Sequence, residues 1–148
     1  VALRLLGCVV DNCFNNQKGK AMRELTSHKV SGLNESIGIG VLDEPGAGGA
    51  CHKYVMFVPN DEFNQELNSS LNQYITFQNG PIAEAGVNGI SNEALLAIVE
   101  DRLAGFQAGP FASDDNKAAL AAVREAMMWL QKRTRDRIAR GVEGTSQK

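Results

Sequence analysis

The stretch from Ser91 to Gly141 constrains the fold most, because helix start, stop and period signals agree there. Ser91 is placed to cap a helix, and Glu93 complements the dipole in its first turn. Leu95, Leu96, Val99, Leu103 and Phe106 then recur at helical spacing. Gly109-Pro110 breaks the chain, and Ser113 caps a second helix with Asp114 and Asp115 in its first turn. That helix can run to Arg140, roughly 40 Å at the helical rise, with Gly141 at the C′ position. Its apolar stripe is Leu120, Val123, Met127 and Leu130, continuing to Ile138. Two amphipathic helices joined by a short loop predict an antiparallel hairpin.

Before the hairpin the period is two. Ile37, Ile39 and Val41 alternate with Gly38 and Gly40, a strand pattern. Asp43-Glu-Pro-Gly-Ala-Gly-Gly49 is a dense turn, and His52 to Val58 reads as the return strand of a hairpin with a long glycine-rich tip. Tyr74 to Gln78 is a third short strand, ended by Asn79-Gly-Pro81, and Gly86 to Gly89 is a further turn. The segment 60–72 is polar, rich in Asn and irregular. The expectation is an α+β chain: a small antiparallel β part of three or more short strands, followed by an antiparallel two-helix hairpin. Its parts are an extension at 1–21, a β part at 22–90 and a hairpin with a basic tail at 91–148. The segment 1–21, which precedes the first methionine, Met22, reads equally as an upstream extension or as a genuine strand or helix.

The composition is that of an ordinary globular chain, with 43% hydrophobic and 22% charged residues in 148. The net charge is −2, so the whole is no polyanion binder, but charge is unevenly placed. From Gln131 onward, Lys132, Arg133, Arg135, Arg137, Arg140 and Lys148 face only Asp136 and Glu143, an excess of four positive charges. This suits a compact anionic ligand better than a long duplex. Arg133, Arg137 and Arg140 lie on one helix face, and forked guanidinium groups there can grip linked phosphates. A solvated basic helix end is the commoner reading of such a strip taken alone. Trp129, off the apolar stripe, reads as a core or interface residue before a base-stacking one.

Catalytic motifs are lacking. Counting from Gly46, the Walker loop fails at Cys51 and His52, and no GxGxxG, HExxH or GxSxG occurs. Cys8, Cys13 and Cys51 are odd in number with no CxxC, which predicts free thiols. The apolar start at Val1 lacks the basic flank of a signal peptide, and no run approaches a membrane span.

Several strings together carry a resemblance: Phe77-Gln-Asn-Gly-Pro-Ile82, Gly86-Val-Asn-Gly89, Asp101-Arg-Leu-Ala-Gly-Phe-Gln-Ala-Gly-Pro-Phe-Ala112 and Arg133-Thr-Arg-Asp-Arg-Ile-Ala-Arg-Gly-Val-Glu-Gly-Thr145. With Val41 to Ala50 and His52-Lys-Tyr54, they resemble a phage anti-defence sponge family built on the helical hairpin shared by the Thoeris anti-defence protein and the anti-CBASS cyclic-nucleotide sponge. The similarity runs from about Ser27 to Thr145. It implies a non-enzymatic protein without cofactor in the host cytoplasm. Such a protein sequesters a cyclic ADP-ribose isomer or a cyclic oligonucleotide as a homo-oligomer, commonly a hexamer, with ligand held between the hairpin and β part of neighbouring chains. By motif it implies ligand contacts from Arg133, Arg137, Phe106 and Asn116, with His52 a weaker match; Arg140 and Asn79 join them by proximity. Ser113-Asp-Asp departs from the Cys-Arg-Glu expected there and adds negative charge at the hairpin tip. An enzyme degrading such nucleotides and a phage accessory interaction domain are the alternatives.

Overall fold

The computed structural model describes residues 23–58 and 73–147; the readings made for 1–21 and 60–72 fall outside them. The chain divides into two compact units, parting between Thr76 and Phe77.

The first unit is a four-stranded antiparallel meander, β1 (Arg23–Leu25), β2 (Gly38–Val41), β3 (Lys53–Phe57) and β4 (Gln73–Thr76), in sequence order. A short helix, α1 (Leu33–Ser36), lies between β1 and β2. The three strands expected from alternation are present, and β1 is a fourth. Register explains the glycines of β2. Gly38 faces Phe57 and Gly40 faces Val55 across the ladder, so these pairs share one face of the sheet. The Phe57 ring lies over Gly38 so closely that a Cβ there would be 2.4 Å from it. Val55 and Phe57 are buried, as is Val41 on the opposite face. At Gly38 the Phe57 ring takes the space that the missing Cβ leaves.

The glycine-rich tip closes as a 3₁₀ turn at Ala47–Gly49, with the Gly46 N–H donating to the Ala50 carbonyl at 2.8 Å. Asp43 fastens its base: the carboxylate accepts the backbone N–H of His52 (3.0 and 3.1 Å) and of Lys53 (3.0 Å). Partial desolvation raises the Asp43 pKa, but these amide bonds from Lys53 and His52 outweigh it and hold the group below its ordinary 3.8.

The second unit contains the one-turn helix α2 (Ile82–Ala85) and the long helices α3 (Asn92–Ala108) and α4 (Asp114–Ala139). Both long helices start at the expected caps. The Ser91 hydroxyl accepts the Ala94 N–H, and the Ser113 hydroxyl accepts that of Asn116, each at 3.1 Å. They pack antiparallel, as the Arg124–Glu100 ion pair at 2.8 Å and the Arg133–Glu93 contact at 3.9 Å show. Leu120 is buried in the seam, Leu95, Leu96, Leu103, Val123, Met127 and Leu130 are half-buried, and Ile138 is exposed. Two helices alone bury only a narrow seam, so much of each stripe stays open. Among the described residues no helix is long and apolar enough to cross a membrane.

Candidate functional site

Helix α4 ends in a Schellman motif, with Gly141 at φ 70°. The Gly141 N–H donates to the Ile138 carbonyl (2.9 Å) and the Val142 N–H to that of Arg137 (3.1 Å). The chain then turns back along the unit. The Ala83 N–H donates to the Gly144 carbonyl at 2.9 Å, and the Ser146 N–H to Glu84 Oε1 at 3.3 Å. Residues 142–147 thus form a return loop docked on α2.

Arg137 organises this loop. Its Nε donates to Glu143 Oε2 (2.9 Å), Nη1 to the Gln147 carbonyl (2.9 Å), and Nη2 to the carbonyls of Val142 and Thr145 (2.8 Å each). A guanidinium has five N–H donors, so four are engaged within the chain. Arg133, one turn earlier, is mostly exposed and reaches Glu93 only at 3.9 Å. Arg140 bends back on its own helix, with Nε donating to the Asp136 carbonyl at 3.3 Å. The Asp136 carboxyl is held below its ordinary value, chiefly by the hydrogen bond from Lys132.

Phe106 and Asn116 lie at the other end of the hairpin. The Arg102 guanidinium stacks over the Phe106 ring at 4.9 Å, and Asn116 Nδ2 donates to the Phe111 carbonyl at 3.3 Å. Seventeen residues separate Asn116 from Arg133, roughly 26 Å along the helix. Within one chain, therefore, the arginines form one group and the tip residues another. Asn79 belongs to a loop locked by side chains: its N–H donates to Asn88 Oδ1 (2.8 Å) and its carbonyl accepts Asn88 Nδ2 (2.9 Å). Gln78 completes the lock through Gly80, Gly86 and Asn88. Gly89 is required here, since a Cβ would lie 2.3 Å from the Phe77 backbone.

His52, in the first unit, is only 6% exposed, and its Nδ1 is buried without a hydrogen-bond partner. Nearby, burial and electrostatic repulsion from Cys51 and Asp43 raise the pKa of Tyr54, whose hydroxyl donates to the Cys51 carbonyl at 3.1 Å.

Residues 70–135 match the Acb2/Tad1 hairpin domain. Across 74 residues the chain is 49% identical to Thoeris anti-defense 1 of Bacillus phage SBSphiJ7, an alignment covering 50% of this chain and 52% of that protein. The chain thus spans about half the length of the curated relative it matches. The resemblance read from the sequence holds for the hairpin.

Arg133, Phe106 and Asn116 lie within the matched span of the Acb2/Tad1 hairpin, and Arg137 and Arg140 just beyond it. Sequence reasoning did not find Glu143, Gln78 or Asn88. The turn strings Asn79-Gly-Pro81 and Gly86-Val-Asn-Gly89 marked the loop, but nothing in them showed that Gln78 and Asn88 would bond across it.

Proposed function

We propose that this chain captures a nucleotide-derived defence signal, a cyclic ADP-ribose isomer or a cyclic oligonucleotide, and holds it without chemical change. The similarity to Thoeris anti-defense 1 through the hairpin carries the reading. The surface chemistry supports it. Arg133 is exposed and loosely paired at the basic helix end, a suitable grip for a phosphate. Phe106 offers a ring for a base and Asn116 a side-chain amide at the tip. These groups are far apart in one chain, so a pocket using both is assembled from two copies, and we propose a homo-oligomer acting in the host cytoplasm.

Calorimetric titration against a panel of cyclic ADP-ribose isomers and cyclic di- and trinucleotides tests the proposal. Binding with intact ligand recovered after denaturation is expected. Conversion of ligand on chromatography would make the protein an enzyme, and absence of binding across the panel would leave the hairpin as an interaction module.

A further inference from the structure

We propose that Glu143 is an intramolecular competitor for the anion site on Arg137, so that ligand capture exchanges this carboxylate for a ligand phosphate. The inference rests on the capture reading above and concerns how the same site is regulated.

The argument starts from the four acceptors on Arg137. Three are main-chain carbonyls, of Val142, Thr145 and Gln147. They belong to a loop that is anchored independently, by the Schellman motif and by the Ala83–Gly144 bond, so giving them up would mean moving backbone. The fourth, Glu143 Oε2 on Nε, is the sole side-chain acceptor in the set. The Glu143 side chain is 37% exposed and can rotate into water while the loop stays in place. Water screens this pair at its Glu143 end, while the Arg137 side chain is 23% exposed, and phosphate on a guanidinium forms strong charge-assisted bonds. The exchange therefore runs toward phosphate, yet the carboxylate lowers the attraction that an incoming anion feels. A polyanionic ligand with phosphates to spare can displace it, and an isolated weak anion competes poorly. Glu143 acts as a threshold on what the arginine strip will hold.

The experiment compares wild type, Glu143→Gln and Glu125→Gln as full chains, titrated with whichever member of the nucleotide panel binds wild type. Glu125 is exposed on α4 and supplies the same change in net charge away from the arginine. The expected result is affinity about three- to tenfold tighter for Glu143→Gln at low salt, shrinking as ionic strength rises, with no change for Glu125→Gln. Circular dichroism melts confirm that each variant is folded. Equal or weaker binding by folded Glu143→Gln, or an equal gain in Glu125→Gln, overturns the proposal while the capture reading stands. If wild type and variants bind no member of the panel, the capture reading fails and this inference with it.

Discussion

Arg137 holds Val142 by both ends of the residue: its carbonyl accepts the Val142 N–H at 3.1 Å, and its Nη2 donates to the Val142 carbonyl at 2.8 Å. One residue thus terminates α4 through its backbone and folds the following loop through its side chain. Replacing Arg137 with Ala is expected to cost about 1–3 kcal/mol of stability, read from denaturant melts, and to speed hydrogen exchange across 142–147. Lys should rescue little, because a point charge cannot serve four acceptors in a plane.

Arg133 should behave differently. It is exposed and its only ion pair among the described residues is long, so Arg133→Ala should leave the melting temperature almost unchanged. On the capture reading, affinity for the nucleotide should fall by about 1.5–3 kcal/mol, roughly ten- to 150-fold. Calorimetry and thermal melts on the same samples separate the two arginines: a large stability loss for Arg133→Ala, or unaltered affinity, would contradict the assignment.

Gly38 and Phe57 form a third test. Any side chain at 38 meets the Phe57 ring, so Gly38→Val should destabilise the chain by about 1–3 kcal/mol through overpacking. Adding Phe57→Leu should recover part of that loss, a non-additivity expected only of residues in contact. Additive losses in a double-mutant cycle would refute the close packing of this pair.

Asp43 sets a pH dependence. Its folded pKa is lowered from 3.8 by amide hydrogen bonds, so its contribution to stability is fully present above the unfolded value and is lost as pH falls through the folded one. Wild type should be more stable than Asp43→Asn at pH 6, and the gap should close below about pH 4. Thermal melts of both proteins from pH 3 to 7 check the sign; a gap that widens on acidification would reverse the account.

What could be read from sequence follows from where each interaction resides. Ser91, Ser113 and Gly141 act within a few residues of themselves, so their caps and the hairpin between them were legible. Alternation identified β2 as a strand, but it did not show that Gly38 would be covered, since Phe57 reaches it from another strand. The clasp of Arg137 was hidden for a related reason. Three of its acceptors are carbonyls, which every residue possesses and no letter of the sequence distinguishes. The arginine strip was visible as charge, while its division into a structural member and a loosely held one was not.

The separation of Phe106 and Asn116 from the arginines has a consequence for counting. Within one chain no pocket can use both groups, so on the capture reading each binding site would take its halves from two copies. On that reading, dilution to single copies should abolish uptake.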